Sequence, residues 1–426
     1  MLDIRLFRED PDKVRKDLMK RKDKGKLGWV DKIIGLDKEG RKVQQDVDKL
    51  RHERNEVSKK INELKKKDKD PKKELVRAKE IPAELKALEE KQQALSSDIT
   101  YFLMRIPNIM HPSVPVGDDD TQNEVIRSWG MPKKPHPGML SHGEFAEKLG
   151  ADFERSAKIA GTGFYFLKGN LALLNQALIW FATQHMVKKG YTYVEPPLMM
   201  RKDFYKGVTD LEDFKKVMYK VEGEDGYLIA TSEHPLVGMY ANETLDEKQL
   251  PMKMCGYSMC FRREIGSHGV DTKGLFRTHQ FNKVEQVVIS RPEESWELHE
   301  ELQRNAEEVY EQLELPYRVV NVCTGDLGIV ASKKYDIEVW MPKQEKYREV
   351  GSCSNCTEYQ ARRLGIKYKE KEEKRFVHTL NNTVIATSRV LVAILENFQN
   401  EDGTLTIPEP LRPLMGGMNK IKPENH

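Results

Sequence analysis

Apolar residues recur with two different periods along this chain. In the first hundred residues Leu36, Val43, Leu50, Val57 and Leu64 return every seven positions, and Ile33, Val47 and Ile61 fall on a companion seam offset by four. The run KKKDKDP (65–71) breaks this pattern, Pro71 and the Asp/Lys cluster marking a turn. Beyond it Ile81, Leu85, Leu88, Gln92, Leu95, Ile99, Phe102 and Ile106 alternate spacings of four and three. Two heptad segments joined by a short polar turn predict an antiparallel α-helical coiled-coil hairpin. Gly40 and Arg54 interrupt the first seam, and Pro82 predicts a limit or a kink at the start of the second helix. A helix over 31–64 would run about 50 Å, too long to lie flat on an ordinary core.

The helical pattern ends in IPNIMHPSVPVG (106–117), and a second Pro/Gly-rich stretch follows at GMPKKPHPG (130–138). These stretches divide the chain into an N-terminal helical arm (1–107), a linker (108–140) and a larger domain (141–426). In the larger part, helical periods (Leu171 to His185, Trp296 to Leu313, Val390 to Phe398) alternate with short β-rich runs: YTYVEPP (191–197), YLIAT (227–231), VEQVVIS (284–290), YRVVNV (317–322) and YDIEVWM (335–341). Several of these runs stand close enough to pair without a crossover helix. The expected class is α+β, an antiparallel sheet with flanking helices.

Composition narrows the picture. Of 426 residues 33% are charged and 38% hydrophobic, which is polar yet far from disordered. Five cysteines exclude a disulfide scaffold and fit a reducing, cytoplasmic compartment. The longest apolar stretch, Leu171 to Ala182, is too short to span a bilayer, and the N-terminus MLDIRLFRED has no hydrophobic signal region, so no membrane is expected as partner. The net charge of +3 conceals an asymmetry: residues 1–105 hold 30 Lys and Arg against 22 Asp and Glu, and the remainder holds 41 against 46. A basic arm suits a polyanion, although lysines also serve merely to keep a helix solvated.

Several chemistries lack their motifs. There is no GK[ST] phosphate loop, no GxGxxG after a strand and no GxSxG elbow. Cys353 and Cys356 form half a zinc pattern without a second pair at finger spacing, so two unmetallated thiols are expected and no zinc. The informative stretch is MCFRREIGSHGVDTKGLFRTHQFNKVEQ (259–286), a strand–loop–strand hairpin that carries Arg262, Arg263 and Glu264 before a Gly-rich loop and Arg277, Phe281 and Glu285 after it. Arginines grip phosphate oxygens, an aromatic stacks on a base, and a carboxylate accepts from an exocyclic amine. This set suits a nucleotide on a sheet surface; a charged hairpin with ordinary surface ion pairs is the competing reading, and Glu285 in particular has Lys283 and Arg277 as available partners.

The sequence resembles the class II aminoacyl-tRNA synthetases and, within them, the seryl-tRNA synthetase family. GYTYVEPPLMM (190–200) is similar to the first class motif, with the dimer-interface proline in the Pro196–Pro197 pair; FRREIGSHGVDTKGLFRTHQF (261–281) to the second; and LNNTVIATSRVLVAILEN (380–397) to the third. TSEHPL (231–236), HQFNKVEQ (279–286), REVGSCSNCTEYQARR (348–363) and LTIPEPLRPLMGG (405–417) resemble the serine-specific signatures and the family's C-terminal end. The resemblance covers essentially the whole chain and implies a class II antiparallel catalytic sheet. It implies that L-serine and ATP form seryl-adenylate and that the seryl group passes to the 3′ end of tRNA(Ser), with tRNA(Sec) as a further acceptor. By the same resemblance Arg262 bridges the α-phosphate and the amino-acid carboxylate, Glu264 faces the adenine amine, and Phe281 stacks on the ring. Arg277 and Arg389 hold the β- and γ-phosphates, with Arg263, Val350 and Gly351 also at the ATP site. Glu349 and Ser352 resemble ligands of Mg²⁺. Thr231 and Glu233 receive the serine ammonium and Glu285 the hydroxyl, Ser232 is also at the serine site, and Thr383 helps close the pocket. The implied partners are tRNA, serine and a second copy of the chain, without DNA. NNTVIATSR (381–389) departs from many bacterial members, which have glycines there, and Gly351 stands where another small residue is common.

Overall fold

A computed structural model describes residues 1–210, 216–264 and 274–423. The Gly-rich loop expected between Glu264 and Arg277 therefore lies largely outside the described residues. The chain divides into two compact units, Met1–Pro107 and Asn108–His426.

In the first unit, helices Ile4–Glu9 and Pro11–Lys20 precede two long antiparallel ones, Lys24–Lys66 and Lys72–Leu103. The heptad seam meets as expected: Val43, Val47 and Leu50 pack on Ile81, Leu85 and Leu95, with Leu36, Val57 and Leu88 half-buried beside them. Each fully buried seam residue contributes about 1.5–3 kcal/mol of transfer free energy. Polar contacts across the seam select the register, Arg51 with Glu89 at 2.8 Å, Arg77 with Glu53 at 2.7 Å and Lys91 with Glu39 at 2.7 Å. Pro82 does not mark the helix start. The helix begins ten residues earlier and carries the proline within it. The two short N-terminal helices carry too few periodic positions to be read from the pattern.

The second unit is built on an eight-stranded sheet. In chain order its strands are β1 (Glu124–Trp129), β2 (Thr192–Val194), β3 (Met252–Phe261), β4 (Gln280–Ser290), β5 (Tyr317–Asn321), β6 (Lys333–Met341), β7 (Lys346–Asn355) and β8 (His378–Ala386). Across the sheet they run β1-β5-β6-β7-β8-β4-β3-β2. All neighbours are antiparallel except β2 on β3, which is parallel. Helices Gly169–Lys188, Ser295–Gln312 and Thr387–Asn397 each bury apolar residues with Val284, Val288, Ile337, Val350 and Leu380 of the sheet in one large core. The α+β class and the antiparallel sheet with flanking helices are as expected.

Two expectations are corrected. Residues 108–140 are not a free linker: Glu124–Trp129 pairs with Tyr317–Asn321 as an edge strand, and Asn108 Nδ2 donates to the carbonyl oxygens of Val330 and Cys356. The polar flanks of this strand hide it, since only one of its neighbours supplies a ladder. YLIAT does not join the large sheet; Gly226–Leu228 pairs with Met199–Arg201 in a two-stranded sheet of its own. Among the described residues no helix is long and apolar enough to cross a membrane.

Candidate active site

The β3–β4 hairpin supplies the floor of a cavity of about 360 Å³. Its register sets Cys260 opposite Phe281 and Gly256 opposite Glu285. Because strand side chains alternate between faces, Val284 and Val288 enter the helix-covered core while Phe281, Lys283 and Glu285 line the cavity.

Arg262 follows β3 directly. Its backbone N–H donates to His279 O at 2.9 Å, its Nε donates to Ala230 O at 3.3 Å, and its guanidinium sits 5.4 Å from the Phe281 ring centre. Arg277 lies 3.9 Å from Glu264. The opposite wall comes from β7, where a bulge in its pairing with β6 precedes Gly351. A β-carbon on Gly351 would stand 3.1 Å from the carbonyl oxygen of Thr383, so glycine allows β7 and β8 this close approach. Arg389, in the first turn of the Thr387–Asn397 helix, reaches Glu349 with Nη1 3.0 Å from Oε1. The Arg389 charge is the main cause that holds the Glu349 carboxyl below its ordinary value.

The third wall is the segment 230–234. Tyr205 fastens it: its hydroxyl accepts from Ala230 N at 3.0 Å and shares a hydrogen bond with His234 Nδ1 at 2.9 Å. Burial brings His234 down to about 3, the charges of Lys283 and Arg262 adding to the effect, so it is neutral at physiological pH. Glu233 N–H donates to Thr231 Oγ1 at 3.2 Å, and Glu233 Oε1 accepts from Gln360 Nε2 at 2.9 Å. Burial, then repulsion from Glu285, push the Glu233 carboxyl up to about 7. Glu285 is fully buried; its Oε1 accepts from Asn381 Nδ2 at 3.3 Å and its Oε2 from Thr383 Oγ1 at 3.0 Å, with Lys283 Nζ 2.6 Å from Oε2.

Thus Thr231, Glu233, Arg262, Glu264, Arg277, Phe281, Glu285, Glu349, Val350, Gly351, Ser352, Thr383 and Arg389 all border one cavity. Two expected residues do not. Ser232 is buried behind the wall, its hydroxyl donating to Gly256 O at 3.1 Å. Arg263 is exposed and tied through its backbone N–H to Val217 O at 2.7 Å. Sequence reasoning missed Asn381 and Gln360, and took Lys283 only as an ion-pair partner for Glu285. The alternation 281, 283, 285 signals Lys283; Gln360 reaches Glu233 across 127 positions and has no local signature. Cys353 and Cys356 are buried, which raises both thiols well above their ordinary value.

Residues 217–398 match the tRNA synthetase class II core domain (G, H, P, S and T), and residues 1–110 match the Seryl-tRNA synthetase N-terminal domain. The sheet, the cavity and the first match define a class II aminoacyl-tRNA synthetase. Serine–tRNA ligase of Methanocella arvoryzae is 56% identical over 425 residues, 99% of this chain and all of the relative. The crystal structure of seryl-tRNA synthetase from Pyrococcus horikoshii complexed with ATP superposes with a TM-score of 0.93 at 50% identity, covering both chains completely. Cytoplasmic serine–tRNA ligase of Naegleria fowleri in complex with AMP gives 0.89 at 36% identity over 100% of this chain and 99% of its own. The chain belongs to the seryl-tRNA synthetase family.

Proposed function

We propose that this enzyme is a serine–tRNA ligase that activates L-serine with ATP and transfers the seryl group to the 3′ end of tRNA(Ser), with tRNA(Sec) as a further acceptor. The observation that carries this reading is the convergence of five nucleotide-type residues (Arg262, Glu264, Arg277, Phe281, Arg389) and three amino-acid-type residues (Thr231, Glu233, Glu285) on one cavity.

The first step forms a bond from a serine carboxylate oxygen to the α-phosphorus and breaks the bond to pyrophosphate. Negative charge gathers on an already anionic centre, so the work is orientation and charge stabilisation. Arg262 stands where it meets both the α-phosphate and the serine carboxylate; Phe281 supports the adenine and Glu264 accepts from its amine; Arg277 and Arg389 take the β- and γ-phosphates. No side-chain nucleophile is needed, and the neutral His234 imidazole is not an imidazolium acid at neutral pH. In the second step a ribose hydroxyl of the tRNA 3′ end attacks the seryl carbonyl and AMP leaves.

Glu349 and Ser352 fit a divalent ion: they offer a carboxylate and a hydroxyl oxygen from one strand, the donor type that Mg²⁺ takes, and leave places for phosphate oxygens and water. The bound ion supplies neutralisation of triphosphate charge.

Glu285 reads the serine hydroxyl. Alanine would leave the remaining acceptor position on Glu285 Oε1 without a donor, and sites built for a hydroxyl reject the analogue lacking it by about 10⁴–10⁵. Threonine differs by one methyl and is excluded only by the walls, about 1–3 kcal/mol.

The basic coiled coil suits the tRNA backbone, read through phosphates and 2′-hydroxyls rather than base edges. A homodimer is supported by Leu173, Trp180 and Val187, half-exposed at seven-residue intervals on the Gly169–Lys188 helix, an apolar stripe that a second copy would cover. Five unpaired cysteines support a cytoplasmic site of action. A paralogue that loads a carrier protein would not need the basic arm, and a dead RNA-binding scaffold has no physical need for the full set of cavity residues. Serine-dependent ATP–pyrophosphate exchange separates the scaffold from the enzymes, and charging of purified tRNA separates the two enzymes.

A further inference from the structure

Lys283 is a lysine ammonium held at 5% exposure on the cavity floor, midway along β4 between Phe281 and Glu285. A buried ammonium needs a counter-charge and hydrogen bonds. Its nearest partner is the equally buried Glu285, 2.6 Å from Nζ to Oε2. An ionised carboxylate offers about four lone-pair positions. On Glu285 the Lys283 ammonium and the Thr383 hydroxyl occupy Oε2, and the Asn381 amide occupies one side of Oε1. The position left over is on Oε1, which suits one donated proton. The pair is also nearly neutral as a unit, so the floor presents an acceptor without a net negative charge.

We propose that Lys283 is a specificity-determining positioning residue: it clamps Oε2 of Glu285 and cancels its charge, so that the site takes a neutral hydroxyl side chain and turns away a cationic one of the same size. This inference rests on the serine-activating reading above and deepens it. The competitor that exposes the device is 2,3-diaminopropionate, which carries a side-chain ammonium where serine carries its hydroxyl. With Lys283 present, that ammonium meets a like charge across Glu285 and an acceptor already neutralised. With Lys283 replaced by a neutral side chain, it meets a buried carboxylate in want of a cation, and it becomes the preferred ligand. A residue that only supports the strand would affect all substrates alike and could not move this ratio.

The test uses the full-length protein in amino-acid-dependent ATP–pyrophosphate exchange with serine, alanine and 2,3-diaminopropionate. Wild type is compared with Lys283→Met, Lys283→Gln and Lys283→Arg. The Met and Gln variants are expected to raise the serine KM by about tenfold or more with the ATP KM kept within about twofold, and to raise kcat/KM for diaminopropionate over serine by at least about tenfold. Lys283→Arg, which keeps the charge, is expected to keep the wild-type ratio. An unchanged ratio in the neutral variants, or equal losses for serine and ATP, overturns the clamp and leaves the functional reading standing. Lys283→Gln retains a donor toward Oε2, so it decides the matter if circular dichroism shows that the Met variant does not fold. Absence of serine-dependent exchange in the wild type overturns the functional reading and the clamp together.

Discussion

Arg389 and Glu349 are locked to each other: one guanidinium nitrogen, Nη1, lies 3.0 Å from the Glu349 carboxylate and donates to the Glu349 carbonyl oxygen at 3.2 Å. A group proposed for the terminal phosphates thus neutralises a group proposed for the divalent ion. Lysine, with a compact charge on a flexible stem, cannot reproduce the planar grip. Arg389→Lys is expected to raise the ATP KM by about 10–100-fold, the range for hydrogen bonds to charged groups, with the serine KM changed far less. Equal KM values for ATP in the two proteins would remove Arg389 from the phosphate site.

Arg262 is held from two sides, by its backbone to His279 and by Nε to Ala230, and so is aimed before substrate binds. Arg262→Ala is expected to slow serine-dependent pyrophosphate exchange by about 10²–10³, the loss seen for one preorganised donor at a developing charge. An exchange rate near wild type would count against the role.

Glu233 gives the reaction a pH dependence. Its carboxyl ionises near 7 in the free enzyme, raised by burial and by Glu285. Below that value it is protonated and a poor partner for the serine ammonium, so the serine KM is expected to climb as pH falls from 8 to about 6, the ATP KM staying flat. The stability effect has the opposite sense. The folded state holds this proton more tightly than the unfolded chain, so stability falls as pH rises from the unfolded carboxyl range through about 7, and the loss is complete above it. Glu233→Gln should flatten the serine profile and raise Tm at pH 8 but hardly at pH 4, which kinetics and calorimetry check separately.

The arm separates the two half-reactions. A protein lacking residues 28–105 is expected to keep serine-dependent exchange and to lose tRNA charging. Binding of tRNA by the full chain should weaken steeply with added salt, as counterion release demands. Unchanged aminoacylation by the truncated protein would reject the assignment.

Trp180 stands at the middle of the exposed apolar stripe on the Gly169–Lys188 helix. Trp180→Glu is expected to turn a dimer into a monomer in sedimentation equilibrium. A wild-type monomer, or a variant that still dimerises, would place the subunit contact elsewhere.

Much of this protein was legible in its residues taken in order. The heptads of 33–64 and 81–106 required a two-helix seam because a 3.5-residue apolar period has no other way to leave water. The stretch 259–286 predicted a strand–loop–strand hairpin, and its Arg262, Glu264, Arg277 and Glu285 border one cavity, because the two strands and the charges beside them are local in sequence. Tertiary structure alone decided the rest. The edge strand Glu124–Trp129 exists through a ladder to residues almost two hundred positions away. Ser232 faces Gly256 while its neighbours Thr231 and Glu233 face the cavity, a matter of backbone direction at a helix start. The sequence named Glu285 and, beside it, Lys283, but whether they form a surface ion pair or a buried recognition device depends on burial. Burial is set by β8 and the 230–234 segment closing over them, and no local pattern encodes how deeply distant segments exclude water.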